Sequence, residues 1–297
     1  MNQVESLPAW RDGNVLDIRP AALFLAGHLA DSVSIPVNAE VIARGEDPLL
    51  EETLPSIFLP PRHEDLLLVC GDTETATRVS RHLRDRGRPE VSATVLATVE
   101  AGVSSLLPLE RGPSRRHLWK PPPWLARHVN LLPPPAAGPV LDLACGSGRA
   151  AVWLADRGYR VTGVDWQPEA LEMGRRLAFS RGVTCSFLPG DLRRLDAVPQ
   201  GPWAVLLNFR FLQRELLDAA ARLLQPGGVA LVRTFRDAPG YEGHPHPRHR
   251  LLPGELTRFF PAGLFEILAH EENHDPDGRP AAGIVARRRF ALPAEGK

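Results

Sequence analysis

Little in this sequence assigns it by composition. Its 297 residues include three cysteines, Cys70, Cys145 and Cys185, which build no disulfide framework. An excess charge is also lacking: 35 Lys and Arg balance 35 Asp and Glu, so no overall field favours nucleic acid or acidic membrane. No apolar run is long enough to span a bilayer, and residues 1–6 do not open a signal segment. A soluble cytoplasmic protein is expected. Lysine is scarce beside arginine and there are 30 prolines, which reads as coding bias rather than function. What is present suffices for ordinary cores, with 43% hydrophobic residues. The length exceeds the common single-domain size, so two domains are expected.

The most informative stretch is 140–165. It reads as an apolar strand, a glycine-rich turn, a helix, Gly158, a second apolar strand and then a carboxylate. Gly146 and Gly148 permit a tight turn and close approach of backbone to ligand. Ala151 takes the third position of G-x-G-x-x-G/A, where a small residue lets helix and strand pack closely. Asp165 follows Gly146 by 19 residues, at the end of the second strand, where a carboxylate can accept hydrogen bonds from two ribose hydroxyls. The unit therefore points to a cofactor containing a nucleoside, an NAD-type site being one alternative.

Asp142 separates the alternatives, because dinucleotide-binding strands are usually apolar at that point. The run from Asp142 through Cys145 to Gly148 resembles motif I of class I methyltransferases that use S-adenosylmethionine (SAM). Residues 188–192, 203–208 and 224–228 resemble that family's third-strand, fourth-strand and fifth-turn segments, and the likeness spans about 118–292. The resemblance implies a Rossmann-like α/β domain with a mostly parallel, doubly wound sheet. It places the turn of Gly146 and Gly148 beneath the methionine moiety, with Asp142 near its amino group. It also sets Asp165 on the ribose, Trp166 over the adenine, Asp191 at the adenine amino group and Leu192 on the ring. Arg149 is a candidate for the methionine carboxylate, or caps a solvent face. Loop residues at 118–125 and 237–256 resemble small-molecule methyltransferases related to tellurite-resistance proteins.

Proline and basic residues crowd 108–123, and Pro133, Pro134 and Pro135 precede the first strand of this unit. Between them, 124–132 has helical spacing. The expected organisation is a first domain at 1–112, a linker with an opening helix at 113–135, and the methyltransferase domain at 136–297. Residues 15–36, with Asp17, Arg19, Phe24, Gly27, His28, Ile35 and Pro36, together with 66–87, resemble a rhodanese domain. That resemblance makes Cys70 the candidate sulfurtransferase nucleophile. Its loop argues against the chemistry, since Thr73 and Thr75 stand where a glycine and an arginine are usual. Asp72 and Glu74 also set negative charge beside a thiol that needs cationic help to ionise. Residues 96–102 lack the glycines and tryptophan expected near the end of such a domain. A degenerate α/β domain serving packing, dimerisation or a protein partner is expected.

Ligands of doubly wound sheets bind beyond the carboxyl ends of the strands. Asn208 and Arg210, after the fourth strand, are therefore acceptor-side candidates. Arg233 and Arg236 flank the fifth strand and can add positive potential there. The loop at 237–256 reads as a mobile cover, which adds Tyr241 and His244. Its histidines do not make a metal site, because no cysteine or spaced carboxylate set completes one. The lack of an Asp/His base pair favours a soft or ionised acceptor, of the thiol, selenite or tellurite type. Neither membrane nor nucleic acid is expected as a partner. Two other readings stay open at this point: a sulfur relay through Cys70, and a non-catalytic SAM-binding regulator or scaffold.

Overall fold

The structure is a computed structural model and describes residues 13–44, 47–96, 108–114 and 116–290. Most of the segment 96–102 and Arg115 of the basic linker lie outside the described residues. The chain divides into two compact units, Met1–Lys120 and Pro121–Lys297. The division falls inside the proline-rich stretch, because Leu118 joins the apolar core of the first unit and Trp119 is buried.

In the first unit the elements run β1 (Asn14–Asp17), α1 (Ala21–Ala26), β2 (His28–Leu29), β3 (Val33–Ser34), α2 (Ala39–Arg44) and α3 (Asp47–Thr53). They continue as β4 (Leu66–Cys70), α4 (Thr73–Asp85), β5 (Val91–Val95) and β6 (Leu109–Glu110). A parallel sheet has the order β3-β1-β4-β5, and β2 pairs antiparallel with β6. β4 is apolar throughout and wholly buried, as suits a central parallel strand covered on both faces. α4 turns Ala76, Val79 and Leu83 inward at helical spacing. Asp72 caps it by accepting the Thr75 backbone N–H at 2.8 Å.

Two features of this unit carry chemistry. Arg19 grips Asp17 with Nε at 3.0 Å and Nη2 at 2.6 Å, and Nη2 also donates to the Gly27 carbonyl at 2.8 Å. The pair is sealed off, at 1% and 0% exposure. Cys70 lies in the core at the end of β4, with only Gly71 and Asp72 before α4 begins. Burial first, then the charges of Asp72 and Asp17, push its thiol up to about 12.

The second unit contains α5 (Pro123–His128), β7 (Val140–Leu143), α6 (Arg149–Ala155), β8 (Val161–Asp165), α7 (Pro168–Arg181) and β9 (Ser186–Pro189). After these come β10 (Trp203–Phe209), α8 (Arg214–Asp218), α9 (Ala220–Leu223), β11 (Leu224–Phe235), β12 (Phe265–His274) and β13 (Pro280–Arg288). Their seven-stranded sheet has the order β12-β13-β11-β10-β7-β8-β9, and β13 runs antiparallel to both of its neighbours. The turn expected at 224–228 is absorbed into β11 by a register shift against β10 between Trp203 and Val205. The chain moves outward from β7 to β9, then returns to start β10 on the other side of β7. That reversal opens a crevice beyond the carboxyl ends of β7 and β10, where doubly wound sheets hold ligands. Among the described residues, no helix is long and apolar enough to cross a membrane.

The buried Asp17–Arg19 pair yields a stability prediction. Asp17→Asn leaves the guanidinium uncompensated and should cost about 3–5 kcal/mol. Urea denaturation of the full chain checks this through a matching fall in the midpoint of the first unit's transition.

Candidate active site

The turn after β7 is shaped by its residues one at a time. Gly146 has φ +51° and nothing within 4 Å of where a Cβ would stand, so the space above it is open. Gly148 caps α6 at φ +71°, and a Cβ there would meet the Phe187 ring at 2.6 Å. The same ring lies 3.1 Å from a Cβ built at Gly163 and 2.9 Å from one at Gly174. One phenylalanine of β9 thus fills the room left by three glycines.

Three carboxylates surround the turn. Asp165 ends β8 and accepts the Gly146 N–H at 2.8 Å and the Gln167 N–H at 3.0 Å, one on each oxygen. Asp142 is buried beneath the turn and accepts the Ala151 backbone N–H, one of the donors that the first turn of a helix leaves unpaired. Among the described residues its Oδ2 has no partner. Burial pushes this carboxyl up to about 8; the Ala151 bond opposes the rise and the nearby Asp165 charge adds to it. Asp191 is half-buried and held down to about 2 by Arg193, whose Nε and Nη2 take its two oxygens at 2.8 and 2.7 Å.

A cavity of about 590 Å³ opens in the crevice. Asp165, Trp166, Asp191 and Leu192 line one part of it, and Phe209, Arg210, Phe211 and His249 another. Trp166 is 65% exposed, so its ring is available to a ligand. Four of the residues read from the sequence as cofactor-binding and one acceptor-side residue therefore meet here. Asp142, Gly146 and Gly148 do not line it. Asn208 does not either: it is buried in β10, and among the described residues neither of its amide atoms has a partner.

The other acceptor-side candidates are elsewhere. Tyr241 lines a separate hollow of about 520 Å³, and its hydroxyl donates to the His244 carbonyl at 2.9 Å. Their loop is braced where the sequence suggests a mobile cover. Buried Arg250 donates to the Pro245 carbonyl at 2.7 Å, the Tyr241 carbonyl at 2.9 Å and the Asp237 carboxylate at 3.0 Å. His249, two residues before the bridge between Leu251 and Arg236, is the histidine that reaches the crevice. Proline spacing marks the loop but not which of its histidines turns toward the crevice, so the sequence points to His244 and not to His249. Arg233 supplies no free positive potential, being buried against Asp275 at 2.6 Å, Asn273 at 2.6 Å and Glu271 at 3.3 Å. Cys145 stays a thiol, since burial, then Asp142 and Asp165, raise its pKa. Among the described residues, no three His, Cys, Asp or Glu side chains group as a metal would require.

Asp142 makes the stability of this unit depend on pH. Its carboxyl moves from 3.8 to about 8 on folding. The stability it contributes is therefore fully present below the lower value and is lost as pH rises through the upper one. Urea midpoints of the ligand-free protein should fall between about pH 5 and about pH 8, and Asp142→Asn should flatten that slope.

Comparison with known proteins agrees with the geometry. A family profile described as a methyltransferase domain matches residues 140–228. An uncharacterized protein of Schizosaccharomyces pombe is 26% identical over 334 residues, covering 92% of this chain and 93% of that protein. The demethylmenaquinone methyltransferase of Thermus thermophilus is 36% identical over 123 residues, or 39% of this chain and 56% of that protein. A ubiquinone biosynthesis O-methyltransferase of Caulobacter vibrioides is 29% identical across 32% of this chain and 40% of its own length. The chain thus spans about half the length of these two methyltransferases. Among solved structures, TehB from Haemophilus influenzae aligns with a TM-score of 0.47 at 20% identity, over 56% of this chain and 61% of that one. The glycine turn, its acids and the matched profile lie in one unit, and the chain therefore carries a class I SAM-dependent methyltransferase domain.

Proposed function

We propose that the protein moves the methyl group of SAM to a small-molecule acceptor with a soft or anionic nucleophile, of the thiol, selenite or tellurite type. The observation that carries this reading is the cavity of about 590 Å³ between the acids at the ends of β8 and β9 and the aromatic and basic residues after β10. Its size is that of a pocket for small ligands. The residues present fit the cofactor. Asp142 Oδ2 is an unpartnered buried acceptor suited to an ammonium group, and the space over Gly146 is open to a ligand's backbone approach. Each Asp165 oxygen keeps capacity beyond its one amide, enough for two ribose hydroxyls. Trp166 offers a face to the adenine and Asp191 an acceptor to its amino group. When bound, SAM supplies an electrophilic methyl group on a sulfonium.

The chain's own part in the reaction is alignment and exclusion of water. A nucleophile must sit about 3–3.5 Å from the methyl carbon and in line with the breaking bond. Phe209 and Phe211 present apolar walls on the acceptor side of the cavity. His249 Nε2 accepts a hydrogen bond from Arg248 Nε at 2.9 Å, which occupies the lone pair a general base would use. A nucleophile that carries its own lone pair at neutral pH needs no such base, and this supports the soft-acceptor reading.

The reading extends to the first unit as a rhodanese-like domain without sulfurtransfer. The sequence resemblance rests on Asp17, Arg19 and Cys70, and in support of an inert version the Asp17–Arg19 pair is sealed off while the thiol is buried and pushed up to about 12. A sulfur relay needs a thiolate at that position. The Schizosaccharomyces pombe relative aligns over 92% of this chain, so the likeness extends well beyond the methyltransferase unit. The first unit then serves packing, dimerisation or the docking of a protein partner.

Calorimetry tests the cofactor part. SAM should bind the wild type, and Asp165→Ala, which removes two charge-assisted ribose bonds, should weaken it at least about a hundredfold. Unaltered binding in the variant would overturn the assignment. Mass spectrometry after thiosulfate treatment should find no sulfur adduct on Cys70, whereas a persulfide there would restore the relay.

A further inference from the structure

Two arginines line the cavity, and they are held in different ways. Arg193 is committed to Asp191 through both carboxylate oxygens. Arg210 follows β10 directly, with its backbone in the left-handed region at φ +60°. That conformation is uncommon for a residue with a side chain and tends to persist where the surroundings enforce it. Here the Arg210 N–H donates to the Arg233 carbonyl at 2.8 Å, which fixes the side chain's origin at the cavity rim.

The Arg210 guanidinium meets the turn between β12 and β13. Its Nη2 is 2.9 Å from Asp277 Oδ2 and 3.6 Å from Asp275 Oδ2. Each of these carboxylates already has another arginine. Asp277 accepts Arg279 Nε at 3.0 Å, and Asp275 accepts Arg233 Nε at 2.6 Å. Arg210 itself is 51% exposed. Its release therefore strands neither acid, and an exposed pair of this kind is weak. Withdrawing the Arg193 guanidinium would take from Asp191 all the side-chain bonds it accepts from that residue.

We propose that Arg210 is the anion clamp of the acceptor site and that Asp277 holds its place in the free protein. An acceptor bearing an oxyanion takes the planar fork of the guanidinium from Asp277, which stays paired with Arg279. The proposal rests on the reading of this cavity as the acceptor site. It makes Arg210 and Asp277 the residues that set which acceptor charge is accepted. The recognised chemistry is an oxyanion with two oxygens free, whether an inorganic one or the carboxylate of an organic thiol.

The test is calorimetric, on the full chain saturated with S-adenosylhomocysteine and titrated separately with selenite and with mercaptoacetate. Asp277→Asn removes the competitor and should tighten binding of the recognised anion by about 1.5- to 5-fold. Arg210→Met should abolish it, with S-adenosylhomocysteine affinity unchanged in both variants. Glu266→Gln removes a carboxylate at the far end of β12, where it pairs with Arg287 at 3.2 Å, and should change nothing. The probe that shows this order identifies the source of the oxyanion. If neither anion shows this order, because each binds all variants equally or binds none, the clamp is overturned, as it is by an equal gain in Glu266→Gln. Failure of S-adenosylhomocysteine to bind the wild type is a different result, and it removes the cofactor reading on which the clamp rests.

Discussion

The second unit is organised around one carboxylate. Asp165 takes the Gly146 N–H on one oxygen and the Gln167 N–H on the other, at 2.8 and 3.0 Å. With these two bonds the end of β8 fixes both the turn after β7 and the start of α7. The turn needs the help, because Gly146 and Gly148 both have positive φ and Ala144 joins them at +54°. A backbone in that region gains nothing from regular ladder bonds. The anchoring charge is therefore also what keeps the open space above Gly146 in register with the cavity.

Charge around the crevice is handled by pairing. The chain is rich in arginine, yet buried Arg233 and Arg250 spend their donors on neighbouring acids and carbonyls. Such groups rigidify the carboxyl ends of β11 and the loop after it, and they project little net field. Among the described residues Asp142 has no cationic partner, and burial, which pushes it up to about 8, keeps the carboxyl protonated near neutral pH. A cationic group arriving beside Oδ2 would favour the ionised form. Binding of such a group and the protonation of Asp142 would be linked for this reason.

The first unit is built around a different buried charge. Asp17 and Arg19 are sealed beside the sheet, and the guanidinium reaches on to the Gly27 carbonyl. The pair ties the end of β1 to the end of α1. Cys70 sits in the same core, where burial and the charges of Asp72 and Asp17 disfavour its thiolate, so its position at a strand end does not confer reactivity. Position and electrostatics therefore give opposite answers for this cysteine, and the electrostatics decide the chemistry.

Local sequence determined a great deal. The spacing of Gly146, Gly148, Ala151 and Asp165 fixes a strand, turn, helix and strand by itself, because turn chemistry and apolar periodicity act over a few residues. Trp166, Asp191 and Leu192 each stand within three residues of a strand end, and all three line the cavity. The tertiary structure alone decided what meets across the crevice. It brought His249 to the cavity and sent Tyr241 to another hollow, although both lie on one loop, because buried Arg250 sets the path of the chain between them. It seated Phe187 against Gly148, Gly163 and Gly174, residues from three elements that no spacing links. It also gave Arg210 its two acids from a turn 65 to 67 residues downstream. Contacts of this kind depend on which strands the sheet order makes neighbours, and a strand's own residues do not encode that choice.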